Sequence, residues 1–168
     1  MAQDIWPRVA ALFGDPSLTL HTMEAISELI DNAATHGRSS AGTFVCAQRY
    51  TGTTSQLPPG IWVGIADAGV GMPSHLRRNP KYRHITDDSE LIRLARRPGV
   101  TGTADRRGWG LPEAFEDATE VGPSRVVIRS QRGEGGFHLR QGQSVAARYR
   151  RLSPSLRGTW VHLRVGSA

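Results

Sequence analysis

The first strong pattern along the chain is helical and extends from about Leu20 to His36. Apolar residues recur at the three- and four-residue spacing that places them on one face of a helix: Ile26, Leu29, Ile30 and Ala33. Gly37 follows, and glycine is common just beyond a helix end. The pattern predicts an amphipathic helix that buries one face.

Two strands and a long connection come next. We expect strands at about Thr43 to Tyr50 and Ile61 to Asp67, and the apolar run I-W-V-G-I-A of the second predicts a buried central strand. A polar stretch from Pro73 to Arg107 follows, and a connection of that length is usually functional or mobile. Within it, Asp87 three residues before Glu90 predicts a short capped helix.

The rest of the chain predicts one helix and several strands. The helix begins near Leu111, with Pro112 tolerated in its first turn, and ends at Ala118. The expected strands are Arg125 to Gln131, Gly136 to Arg140, Ser144 to Arg150 and Thr159 to Val165. This order predicts a single α+β domain over residues 1–168, a two-layer sandwich of helices over a mostly antiparallel mixed sheet, with a long lid segment at about 73–110.

Composition removes several function classes. The chain has 168 residues and a net charge of +6, and Lys81 is its only lysine. No glycine-rich P-loop precedes Lys81, so that class of NTPase is excluded. The arginines are spread from Arg8 to Arg164, which does not favour nucleic acid as a partner.

Two further expectations come from what the sequence does not contain. Cys46 is the only cysteine and the histidines are scattered, so we expect neither an internal disulfide nor a zinc site, and Cys46 reads as a small buried apolar residue. No apolar stretch is long enough to cross a membrane, which predicts a cytoplasmic protein without membrane contact.

Three sets of residues could carry chemistry. Glu28 and Asn32 are four residues apart and share a helix face, about opposite the apolar stripe. A carboxylate beside an amide oxygen could bind a hard cation and polarise water, although a solvated polar face fits equally well. Asp67 ends a buried strand just before Gly69 and Gly71, where it could accept from an amine of a flat ligand or form an ordinary turn.

The third set is the glycine cluster G-V-T-G-T-A-D-R-R-G-W-G-L-P, which leads into a helix. Free N–H groups at a helix N-terminus favour phosphate, with Arg106 and Arg107 as possible charge partners. A flexible surface loop is the alternative. Thr159, after Gly158, opens the last strand and could simply be a β-former.

Four motifs in this order resemble the boxes of the GHKL ATPases, the superfamily of DNA gyrase, heat-shock chaperone ATPases, sensor histidine kinases, MutL and MORC proteins. They are E-L-I-D-N-A, D-A-G-V-G-M, the glycine lid ending in G-W-G-L, and G-T-W-V-H-L, and they span about Leu20 to Val165. The resemblance implies the Bergerat fold, ATP and Mg²⁺.

The resemblance also implies residue roles. It assigns Asn32 to Mg²⁺, Glu28 to the attacking water or hydroxyl, and Asp67 to the adenine amino group. It gives Thr159 support of Asp67 through water. The remaining nucleotide-facing positions are Gly69, Gly71, Met72, Gly108, Gly110 and Leu111.

The branch and the outcome of ATP binding stay open. The endings E-x-x-x-N-A-x-x-H-G and G-L-P-E-A-F-E-D-A-T-E-V resemble bacterial anti-sigma serine kinases, whereas the long connection and S-E-L-I-D-N-A resemble chaperone and MORC-type ATPases. We expect ATP hydrolysis or phosphoryl transfer to a protein partner. No transducer domain or phosphoacceptor box is recognisable, which favours as alternatives a nucleotide-controlled binding module and, last, a DNA-linked function. A homodimer is a further expectation from the superfamily.

Overall fold

The structure is a computed structural model that describes residues 7, 11, 16–37, 39–51, 60–103, 108–140 and 146–166. Its elements in chain order are α1 (Pro16–Gly37), β1 (Thr43–Tyr50), β2 (Gly60–Asp67), α2 (Met72–Leu76), a 3₁₀ turn (Pro80–Tyr82), α3 (Asp88–Ala95), α4 (Gly110–Glu120), β3 (Ser124–Leu139) and β4 (Ala146–Val165). The expected α+β class is confirmed, and the Bergerat fold stays a prediction.

The strands form one open sheet in the order β1-β2-β4-β3. All three pairings between described strands are antiparallel, so the expectation of a mixed sheet is wrong. The four strands predicted after α4 are two long ones, because β3 and β4 continue past the sheet as a ribbon. A register shift at Ser130 and Gln131 marks where the ribbon begins, and Gln131 takes a positive φ of 53° there.

One face of the sheet carries the core. The alternating residues Val161, Leu163 and Val165 of β4 point toward the helices, as the sequence pattern predicted, beside Val63 and Ile65 of β2. The outward residues of the same strands, among them Trp62 and Trp160, form what we call the outer face. The helices therefore cover one face of the sheet, which is compatible with a two-layer sandwich.

The long connection is mostly structured. The predicted capped helix is present as α3, and the Asp87 carboxylate accepts from the Ser89 N–H at 2.8 Å. The sequence did not predict α2 or the 3₁₀ turn. Leu91 and Ile92 of α3 are fully buried, so this part of the expected lid belongs to the core.

Cys46 is exposed, so the expectation of a buried apolar cysteine is wrong. Strand alternation explains the error, because even-numbered residues of β1 lie on the outer face. Among the helices within the described ranges, none is long and apolar enough to cross a membrane.

Candidate functional site

A cavity lies between the helices and the sheet and holds most of the predicted site residues. The space between its walls is about 840 Å³, including the part open to solvent, which is in the range of about 300 to 1,000 Å³ typical of small-molecule sites. Eight predicted residues line it: Asn32, Asp67, Gly71, Met72, Gly108, Gly110, Leu111 and Thr159. Glu28 and Gly69 stand directly behind this lining, as described below.

Asp67 forms the floor at one end of the cavity. Its side chain is only 3% exposed, and Oδ1 accepts from the Gly69 N–H at 2.8 Å. Burial raises the pKa of Asp67 above its ordinary 3.8, although the N–H groups of Gly69 and Thr159 oppose the shift. A buried carboxylate facing a cavity is a strong acceptor for a ligand N–H group.

Close backbone contacts fix the turn around Asp67. A Cβ at Gly37 would lie 2.7 Å from the Asp67 Cγ, and one at Gly69 would lie 1.6 Å from the Gly37 carbonyl oxygen. The Val70 N–H also donates to that carbonyl at 2.9 Å. Glycine is therefore required where the end of α1 meets the turn after β2.

Thr159 acts in a network that the sequence reasoning did not predict. Its hydroxyl accepts from the Met72 N–H at 3.1 Å and lies 3.0 Å from the Ser130 Oγ. Ser130 is fully buried, accepts from the same Met72 N–H at 2.9 Å and donates to the Gly158 carbonyl at 2.7 Å. The network ties the last two strands to the start of α2. A serine at an inward position after Val126 and Ile128 was the available signal.

Glu28 and Asn32 meet the start of α4 at the other end. A Cβ at Gly110 would lie 2.5 Å from the Glu28 Oε2 and 3.1 Å from the Asn32 Nδ2. Both side chains are half-buried, and Asn32 lines the cavity together with Leu29 and Ala33. The expectation that the pair lies opposite the apolar stripe is therefore wrong, because α4 packs beside α1 and covers that flank.

The electrostatics of this end suit proton transfer. Burial, followed by the negative charges of Glu113, Asp31 and Asp117, raises the pKa of Glu28 above its ordinary 4.5. The Asn32 Nδ2 is buried and has no hydrogen-bond partner among the described residues. An amide with unused capacity and a carboxylate that holds its proton more tightly thus face the same point.

The N-terminus of α4 adds donors. Trp109, which precedes the helix, provides no side-chain cap, so the N–H groups of Gly110 and Leu111 remain available to an anion at the cavity. Pro112 contributes no N–H. The predicted charge partners Arg106 and Arg107 lie outside the described residues.

Two histidines that the sequence reasoning did not select also line the cavity. His36 and His75 stack with ring centroids 4.3 Å apart. His36 follows Asn32 by four residues, so the spacing that links Glu28 to Asn32 continues to it. That continuation was the signal in the sequence.

A second group of possible metal ligands lies outside the cavity. One ligand atom each of His21, Glu24 and Asp117 lies within 4.8 Å of the others. The histidine and the glutamate are 42% and 49% exposed. The sequence gave no hint of it because Asp117 is far along the chain, and we assign it no role.

Searches of the chain against models of known protein families and against curated protein sequences found no match. The roles of the cavity residues are therefore argued from the geometry and from the four sequence motifs.

Proposed function

We propose that the cavity binds ATP with Mg²⁺. The observation that carries this proposal is the pairing of two ends in one cavity: a buried acceptor at Asp67 and an anion-binding helix start at Gly110. Adenine presents an amino group to a carboxylate, and a triphosphate requires donors and a cation. The resemblance to the GHKL ATPases assigns the same two ends to the same two ligand parts.

The residues at the phosphate end fit a magnesium ion. An Asn32 amide with unused hydrogen-bond capacity can turn its oxygen to a metal, and Mg²⁺ typically takes one or two protein oxygens and completes its shell with water and phosphate. When bound, the ion would offset the negative charge that Glu28 and the phosphates bring together. Asn32 would hold it, and the Gly110 and Leu111 N–H groups would hold the phosphates.

Glu28 is then the residue that acts on the nucleophile. A carboxylate with a raised pKa is a better general base than an ordinary one, and it stands at the phosphate end of the cavity. Its partner would be water, giving hydrolysis, or the hydroxyl of a partner protein, giving phosphoryl transfer. Positioning supplies most of the catalysis in such reactions.

One observation favours the alternative of a binding module with little turnover. Of the described residues that line the cavity, none is lysine or arginine. Phosphoryl transfer gains several orders of magnitude from such cations. Since α2 and α3 pack into the core, any response to nucleotide in this module would arise after Ala95 rather than along the whole expected lid.

Calorimetric titration with ATP, ADP and GTP, each with Mg²⁺, tests the proposal. We expect saturable binding of ATP, and binding of GTP weaker by about tenfold or more, because guanine presents a carbonyl oxygen where Asp67 needs a donor. No binding of any nucleotide, or equal affinity for ATP and GTP, would contradict it. A phosphate-release assay on the same sample then separates the enzyme from the binding module.

Gly110→Ala is expected to weaken ATP·Mg²⁺ binding by about tenfold or more, with little effect on stability. The added methyl group would occupy the point where Glu28 and Asn32 meet, while φ at this position needs no glycine. Gly136→Ala is the matched control, since its Cβ would meet nothing closer than 3.9 Å. Equal affinities of the two variants for ATP would place the phosphates elsewhere.

A further inference from the structure

The fold gathers arginines that are dispersed in the sequence. Arg125 and Arg129 of β3 and Arg164 of β4 all lie on the outer face, and Arg125 is directly opposite Arg164. Like charges in directly opposed positions destabilise a sheet unless an anion lies between them. No ion pair joins Arg125 or Arg129 to a carboxylate in the part of the chain that the structure describes.

The same face presents large aromatic side chains to solvent. Phe44 and Trp160 are 61% and 54% exposed, and both flank Ala66 of β2 in one row across the sheet. Trp160 is directly opposite Arg129 in that row. Folded domains seldom expose two such rings beside unpaired cations without a ligand.

Behind this row, further rings make the surface rigid. Trp62 lies between Tyr50 and His162, with ring centroids 5.3 and 4.9 Å away. Burial and the charge of Arg125 lower the pKa of His162, so its ring is neutral and planar at neutral pH. Within the four-stranded part of the sheet, the described outward positions include no carboxylate.

We infer that the outer face binds single-stranded nucleic acid, with bases stacked on the exposed rings and phosphates at the arginines. Cations and flat aromatic rings without acidic neighbours are what such strands require. A duplex hides the faces of its bases, and a broad sheet face does not enter a groove, so the surface fits the single strand better. This surface lies on the side of the sheet away from the ATP cavity, and the inference does not depend on the proposed function.

Fluorescence anisotropy with labelled oligothymidylate and oligouridylate of about 15 nucleotides tests the inference on the whole chain. We expect saturable binding that weakens with salt and is unchanged by ATP·Mg²⁺. Trp160→Ala should lower the affinity by roughly tenfold, because stacking on one aromatic side chain contributes about that much. Trp109→Ala, which removes a ring that is 53% exposed on the helix side, should leave it unchanged.

The arginines have their own readout. Arg125→Gln with Arg129→Gln should reduce the slope of log affinity against log salt by about 1.4, since each contact to a single-strand phosphate contributes about 0.7. Arg78→Gln with Arg83→Gln removes the same charge from exposed positions on the helix side and should not change the slope. Circular dichroism checks that each variant is folded.

Three results would overturn the inference. The first is no saturable binding by the wild-type chain. The second is equal competition by duplex DNA or heparin, which would indicate a general attraction of polyanions. The third is a Trp160→Ala variant that changes the oligomeric state in solution but not oligonucleotide binding, which would indicate that a second copy of the chain covers the outer face.

Discussion

Asp67→Asn is expected to lower the affinity for ATP by roughly 100-fold while making the ligand-free chain more stable at neutral pH. The Gly69 N–H needs an acceptor, so the asparagine oxygen would take the place of Oδ1 and its Nδ2 would face the cavity. A donor would then meet the adenine amino group, and an opposed pair of buried donors costs more than a missing hydrogen bond.

The gain in stability follows from the direction of the pKa shift. Burial disfavours the charged form, so folded Asp67 keeps its proton to a higher pH than the unfolded chain does. Stability that is fully present below the ordinary pKa of 3.8 is lost as the pH rises through the raised value, and at pH 7 the folded chain holds a buried charge. Asparagine carries no such charge.

Calorimetry and thermal unfolding check both parts of this prediction. The variant should melt at a higher temperature than the wild type at pH 7, and the difference should shrink as the pH falls toward 4. The preference for ATP over GTP should narrow or reverse, because the Nδ2 can donate to the guanine carbonyl. Asp31→Asn, an exposed change on α1, is the control for both measurements. Unchanged ATP affinity in Asp67→Asn would separate Asp67 from nucleotide recognition.

The sequence predicted well those features that depend on local periodicity. The bounds of β1 match the prediction, α1 and β2 agree near their C-terminal ends, and the Asp87 cap of α3 was visible in the sequence. The ends of β3 and β4 were not predictable, because the glycines from Gly133 to Gly136 look like a turn. They continue as strand because Gly133 and Gly135 pack closely against Asp88 and Ile92 of α3.

The site shows the same division between local and tertiary information. Motif spacing identified Asp67, Asn32 and the glycines, since each sits at the end or start of an element. It could not place Ser130 beside Met72, because that contact joins residues 58 positions apart. The direction in which Glu28 faces also depended on α4 packing against α1, which no local pattern contains.

Glu28→Gln is expected to abolish most turnover while leaving ATP binding nearly intact. If the chain hydrolyses ATP or phosphorylates a partner, loss of the general base should lower the rate by about 10²- to 10⁴-fold. The amide keeps the shape of the side chain against Gly110, and removal of one negative charge near the phosphates should, if anything, tighten ATP binding. A change in rate without a loss of affinity is the signature of a group that acts in the transition state.

Glu24→Gln is the matched control for this variant. Glu24 lies one turn earlier on α1, is exposed and does not line the cavity, so the same change of charge there should leave turnover within about twofold. Phosphate release and calorimetric binding are measured on the wild type and both variants. Equal rates for Glu28→Gln and the wild type would remove the assigned role. A wild type that binds ATP tightly and releases no phosphate would instead select the binding module, in which the raised pKa of Glu28 reflects only its burial and its acidic neighbours.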